Sequence, residues 1–185
     1  MTAREALIVS VTGLIQRRGV AGTGLKALLE DSGVARRTVY LNFPGGKEEL
    51  VTEAVRVAGE ALTAVIRSTD RDPAQAIQAF VDQWKTTLRE SQLQAGCPIV
   101  AAILGRAEAP GAARAAAGAV NEWQSILADR LLRSGAERDD ARSLATLTIA
   151  AIEGAVIMAL AAQSTDALDD VGRHLVELIS RSLPG

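Results

Sequence analysis

Leu25-Lys26-Ala27-Leu28-Leu29-Glu30-Asp31-Ser32-Gly33-Val34-Ala35-Arg36-Arg37-Thr38-Val39-Tyr40-Leu41-Asn42-Phe43-Pro44-Gly45-Gly46-Lys47-Glu48-Glu49-Leu50 carries the clearest structural pattern in the chain. It holds two short helical segments, residues 25–32 and about 35–41, split by Gly33. Glycine at such a junction adopts the left-handed backbone that ends one helix and frees the chain to start another. Two helices joined this tightly must cross on small or apolar side chains, and Leu25, Leu28, Leu29, Val34 and Val39 supply them. The outer face of the second helix is polar: Arg36, Arg37, Thr38, Tyr40 and Asn42. Together these make a helix-turn-helix arrangement. A helix of this size fits the DNA major groove, where Arg bonds guanine through two donors and Asn pairs with adenine. The pattern alone also fits a helical hairpin with a purely structural role.

Outward from that stretch the same helical grammar continues. Upstream, residues 3–18 place Leu7, Val11, Leu14 and Ile15 on one face, and Gly19 ends the helix. Gly22-Thr23-Gly24 makes a turn, with Thr23 placed to cap the next helix. Downstream, Pro44-Gly45-Gly46 breaks the chain, and a long helix runs over about 47–67 with Leu50, Ala54, Val57, Ala61 and Val65 as its stripe. Asp72-Pro73 opens a helix to about Gln92, marked by Ile77, Phe80, Val81, Trp84 and Leu88. A short helix follows Gly96-Cys97-Pro98, and a longer one follows Pro110-Gly111 to about Arg133. Asp139 or Asp140 is the expected cap of the helix containing 144–162, and Thr165 or Asp166 that of the last. Leu168, Val171, Leu175, Leu178 and Ile179 line one side of that last helix. No strand pattern or long repeat is visible. The expected fold is all-α, with about nine helices.

Composition agrees. Hydrophobic residues make up 48% of the 185, enough for a sizeable core, while aromatics are 3%, which favours close-packed helices over a sheet. The net charge of −2 hides an asymmetry. Residues 1–47 carry seven Lys/Arg against three acids, a local +4 that leaves −6 on the remainder. A basic end on an acidic chain suits a local anionic partner. Cys97 and His174 are the only residues of their kinds. That excludes an intramolecular disulfide, a Cys-x-x-Cys metal pair and a histidine cluster, and it leaves only His174 for a catalytic triad. His174 lies late in a helical segment and reads as a surface or interface residue. No catalytic residues, metal ligands or cofactors are expected. The first seven residues include Arg4 and Glu5 and show no secretory apolar core, so a cytoplasmic location is expected. Residues 144–162 are apolar enough in length for a membrane span, but Glu153 sits near the middle. A helix buried in a soluble assembly is the better reading, with no membrane partner.

The stretch 33–50 resembles the DNA-binding signature of the TetR family of repressors. The resemblance lies in Tyr40-x-x-Phe43 followed by Gly46-Lys47-Glu48-Glu49-Leu50, together with the upstream Gly19-Val20-Ala21-Gly22-Thr23-Gly24-Leu25. Phe43-Pro44-Gly45-Gly46 and the later Gly96-Cys97-Pro98 are similar to the LmrA/YxaF-like branch. The resemblance implies a helix-turn-helix DNA-binding domain over 1–47 and a ligand-binding and dimerisation domain over 48–185. Tyr40 and Lys47 match positions that hold phosphates. Thr23 and Gly24, opening the second helix, are placed to do likewise, and Arg36, Arg37, Thr38 and Asn42 are the candidates for base or phosphate contacts. Phe43 reads as a core plug. Relatives in this branch show Gly-Ser-Leu-Tyr-His-His-Phe where this chain has Arg37-Thr38-Val39-Tyr40-Leu41-Asn42-Phe43, so the recognition surface is its own.

The resemblance also implies that the last two helices pair with their copies in a second subunit. Small Ala145, Ala151, Gly154 and Ala155 and apolar Leu168, Val171, Leu175 and Ile179 are the expected contacts. The expected ligand cavity lies among the helices bearing Phe80, Trp84, Cys97, Trp123 and Met158, with Gln83, Gln124 and Glu153 as polar neighbours. The implied function is a ligand-responsive repressor, dimeric on a palindromic double-stranded DNA operator and released by a small, mostly apolar inducer. Two rivals are a helical adaptor without DNA binding and an all-helical enzyme, the latter lacking an evident acid–base pair.

Overall fold

The computed structural model describes residues 1–68 and 72–184. Among the described residues the regular elements are nine α-helices: α1 (Ala3–Arg18), α2 (Leu25–Ser32), α3 (Arg36–Asn42), α4 (Gly46–Ser68), α5 (Pro73–Glu90), α6 (Pro98–Leu104), α7 (Pro110–Arg133), α8 (Arg138–Ala162) and α9 (Asp166–Ser182). The chain forms two compact units. One comprises Met1–Ala61 and Cys97–Ala119, the other Leu62–Gly96 and Val120–Gly185.

In the first unit α1 is the central element, packed by α2, α3 and α6. A reciprocal capping box starts it: Glu5 N donates to Thr2 Oγ1 at 3.2 Å, and Thr2 N donates to the Glu5 carboxylate at 2.8 Å. Its buried face is Leu7, Ile8, Ser10, Val11, Leu14 and Ile15. At Gly33 the backbone is left-handed (φ +66°), and its N–H donates to Leu29 O at 3.1 Å, closing α2. Gly105, at the end of α6, allows a close approach to Val20. A Cβ there would lie 2.6 Å from Val20 Cβ, so no larger residue fits without moving the backbone.

Glu53 on α4 ties this unit together electrostatically. Arg4 donates to it at 2.5 Å and Arg56 at 2.7 and 2.9 Å, and Arg56 also bonds Glu60. The Arg56 guanidinium, then that of Arg4, holds the Glu53 carboxyl down from the usual 4.5 to about 2. A depressed carboxylate stabilises the fold above its unfolded pKa and loses that contribution as pH falls through the folded one. Glu53→Gln is therefore expected to flatten the acid limb of stability between about pH 4.5 and 2, as read by thermal unfolding against pH.

In the second unit α9 lies on α5 and α8. Asp72 caps α5, accepting from Ala74 N at 3.0 Å and Gln75 N at 3.3 Å, with Pro73 in the first turn as expected. The helix stops at Glu90, short of the expected Gln92. Gln92 and Leu93 turn into positive φ, and Leu93 N reaches back to Leu88 O at 2.7 Å. Leu168, Gly172, Leu175 and Ile179 form the buried face of α9. Gly172 brings α9 tight against α5, since a Cβ there would sit 3.1 Å from Val81 Cγ2.

Three expected helix starts move. Gly24, not Thr23, is the N-cap of α2. Ala35 caps α3, so that helix begins at Arg36. Glu137 caps α8, which leaves Asp139 and Asp140 inside the first turn, where their charge still favours the helix dipole. α8 is long and apolar enough to cross a membrane by length and composition alone. Here one of its sides, Leu144, Ala145, Thr148, Ile152, Ala155, Val156 and Ala159, is buried inside the second unit.

Candidate nucleic-acid interface and effector cavity

The helix-turn-helix is held from beneath. Leu28, Val39 and Phe43 are each no more than 1% exposed. Phe43 is the plug the sequence suggests, with the Arg4 guanidinium 5.3 Å from its ring centroid. Successive residues of a helix rotate by about 100°. With Val39 facing inward, Arg37 and Leu41 point most directly away from the core and Thr38 and Tyr40 flank them, while Arg36 and Asn42 lie about 60° round from Val39, Arg36 exposed at the start of the helix and Asn42 half-buried at its end. Arg36 and Arg37 are exposed, and among the described residues neither makes an ion pair or hydrogen bond. An exposed cation without an internal partner is available to an external anion.

Tyr40 is 44% exposed, its ring lying against Gly46, where φ is +70°. Lys47 follows in the first turn of α4. Its Nζ donates to Val20 O at 3.2 Å, which fixes the head of the side chain while leaving two of its three donors for another acceptor. Asn42 is half-buried, and its Nδ2 donates to Thr38 O at 2.8 Å, so only part of its amide faces outward. Gly24 is exposed at the start of α2. Thr23 is the exception among the candidates. It is 1% exposed, its hydroxyl donates to Gly19 O at 2.7 Å and its N–H to Val20 O at 3.2 Å. Its side chain braces the loop and is not presented to a ligand. The exposed residue that the sequence reading passed over is Leu41, 70% exposed on the outward ridge of α3. Taking Val39 as the inward mark and counting 100° steps would have found it.

The second unit contains a cavity of about 520 Å³, part of it open to solvent. Its wall is almost wholly apolar: Val65, Ile66, Ala76, Ile77, Phe80, Trp123, Leu127, Ile149 and Ile152, with Arg130, Thr148 and Glu153 as the polar members. Trp123 is fixed there by its Nε1, which donates to Thr63 Oγ1 at 2.9 Å. Arg130 is 9% exposed and donates to Ile66 O at 2.9 Å, holding one of the last carbonyls of α4. The lining has the composition of a small-molecule pocket, while the space enclosed within it is about 30 Å³, so the walls must part to admit a ligand.

Of the eight residues expected around a ligand, Phe80, Trp123 and Glu153 line this cavity and the other five do not. Trp84 is buried beside Phe80, edge to face at 6.4 Å, and supports it. Gln83 is exposed, because it lies about 130° round α5 from the inward direction set by Ile77, Val81, Trp84 and Leu88. Gln124 bonds Thr146 at 3.2 Å, outside the cavity wall. Met158 is 60% exposed. Five residues after Glu153 on one helix, it lies about 140° round from it, so the two do not share a wall. Cys97 is buried at the start of α6, in the other unit.

The expected dimer residues also divide. Ala155, Leu168, Leu175 and Ile179 are buried within the chain, spent on packing among α5, α8 and α9. Ala151 and Val171 are half-buried. The apolar surface left uncovered is a stripe of α8 that includes the expected Ala151 and Gly154 and extends to Leu147, Met158 and Ala161, flanked by Ile157, whereas Ala145 is buried. Leu147, Ile157 and Met158 are 46%, 56% and 60% exposed.

Comparison with known proteins accounts for both units. Residues 12–54 match the family described as "Bacterial regulatory proteins, tetR family". Residues 73–174 match "Transcriptional regulator LmrA/YxaF-like, C-terminal domain". The HTH-type transcriptional regulator Rv0196 of Mycobacterium tuberculosis is 34% identical, over 98% of this chain and 96% of its own. The HTH-type transcriptional regulator LmrA of Bacillus subtilis is 30% identical, over 97% of each chain. Among solved structures, a TetR transcriptional regulator from Legionella pneumophila superposes with a TM-score of 0.86 at 18% identity, over 100% of this chain and 98% of that one. The regulatory protein TetR from Rhodobacter sphaeroides gives 0.85 at 17% identity, over 95% and 97%. These two likenesses concern the fold. With both matched segments and relatives spanning nearly the full length, the chain belongs to the TetR family of transcriptional regulators, in its LmrA/YxaF-like branch.

Proposed function

We propose that this protein is a homodimeric, ligand-responsive repressor that occupies a palindromic DNA operator and leaves it when a small, mostly apolar molecule fills the cavity of the second unit. The observation that carries the reading is the outward face of α3. It presents two exposed arginines without internal partners, beside Tyr40 and a Lys47 whose head is already fixed. Tyr40 and Lys47 anchor phosphates, helped by the Gly24 end of α2, and Arg36, Arg37, Thr38 and the free part of Asn42 meet bases or phosphates. Residues 1–47 thus act as the DNA-binding part and 48–185 as the sensing and dimerising part, in the cytoplasm and with no catalytic step.

The second copy docks on the uncovered α8 stripe with Val171 and Leu178 of α9, and the twofold axis sets two α3 helices about 34–36 Å apart. Inducer enters between Phe80 and Trp123, with Glu153 and Thr148 as its polar contacts. Val65 and Ile66 belong to the cavity wall and to the last turns of α4, the helix whose first turn holds Lys47. A ligand that prefers one setting of α4 shifts the population away from the DNA-competent state by its differential affinity.

Selection of genomic fragments by the purified protein tests the DNA reading. A palindrome enriched by the wild type and lost with Tyr40→Ala/Lys47→Ala is expected. Equal recovery by both proteins would refute it.

A further inference from the structure

Leu41 poses a problem that the operator reading leaves unsolved. A leucine 70% exposed is ordinary when it stands at random on a surface, but this one stands opposite Val39 on the most outward line of α3, one turn after Arg37. Its exposed or half-exposed neighbours are Arg36, Arg37, Thr38, Tyr40 and Asn42. They form no apolar patch around it on which another protein would dock. On a helix that enters DNA, an occupant of this position would present one small apolar group inside an otherwise polar, anionic surface. The DNA major groove offers such a group, the C5-methyl of thymine.

The dimensions allow it. Seven residues make α3 about 10 Å long, no more than the roughly 12 Å width of the groove, so both ends of the helix fit inside. Arg37 and Leu41 then stand one above the other toward the bases.

We propose that Leu41 is a specificity-determining residue that reads a thymine methyl in each operator half-site. The inference rests on the reading of α3 as the recognition helix. Hydrophobic contact with one methyl is worth about a fourfold change in affinity, and about fifteenfold when both half-sites change together. A polar residue in place of Leu41 would leave that methyl without a partner.

The experiment uses the selected palindrome as a synthetic duplex in which thymines are replaced, one symmetric pair at a time, by deoxyuridine. This removes the methyl and leaves the pairing edge intact. Affinities of the full-length wild type and of Leu41→Ala are read by fluorescence anisotropy. One symmetric pair is expected at which deoxyuridine weakens the wild type about fifteenfold and leaves Leu41→Ala nearly unchanged. Sequence-selective binding by a wild type indifferent to every replacement would overturn the Leu41 role alone, as would equal losses in both proteins. Absence of sequence-selective binding by the wild type would overturn the recognition-helix reading together with it.

Discussion

Phe43→Ala is expected to cost about 3–5 kcal/mol of stability, a large share of the 5–15 kcal/mol typical of a folded domain. The ring is 1% exposed and sits where α3 ends and the chain turns into α4. Removing it leaves a void that the short helices are poorly placed to fill, because α3 has only seven residues and one buried side chain of its own, Val39. It also removes the surface under the Arg4 guanidinium. The midpoint of thermal unfolding should fall by roughly 6–20 °C for a chain of this size. Phe43→Leu keeps most of the buried volume and should lose much less. A midpoint unchanged by Phe43→Ala would show that the first unit does not depend on this plug.

A second large effect is expected from Leu147→Glu combined with Met158→Glu. Both side chains are exposed in the single chain, at 46% and 60%, so the substitutions disturb little internal packing. At a twofold interface each would bury carboxylates against their own copies, a desolvation and repulsion that hydrophobic contact does not offset. Sedimentation should report the 19.4 kDa monomer in place of a species of twice that mass, with the helical signal intact. Operator affinity should fall about 100-fold or more, because each half-site would then bind alone. A variant that stays dimeric would place the interface on another face.

Helix number and most boundaries were legible in the sequence because glycines and Asp72-Pro73 punctuate the chain, and backbone geometry at those residues leaves few choices. Caps were less legible. Thr23 has the right chemistry for an N-cap, yet its hydroxyl bonds Gly19 O and leaves the cap position to Gly24. Side-chain periodicity identifies the apolar face of a helix but not what that face meets. Leu168, Leu175 and Ile179 have the pattern of a partner surface and are covered by the chain's own helices. The weaker, small-residue stripe of α8 is what remains outside. The same holds for the cavity, since Gln83 and Met158 are on or near its helices in sequence but on sides that face away from it. Leu41 was overlooked because a search for polar recognition residues passes over a leucine.

On the proposed function, α3, with Tyr40 and Lys47, reads DNA. The most direct measurement is the affinity of the dimer for its selected palindrome and for a scrambled duplex of equal length, over a series of salt concentrations, with Lys47→Ala as comparison. Selectivity for the palindrome of about a thousandfold or more is expected, with a steep weakening as salt rises. The slope for Lys47→Ala should be shallower by about 1.8, because one phosphate in each half-site is no longer neutralised. Equal affinity for the two duplexes, or a salt slope that Lys47→Ala leaves untouched, would contradict it.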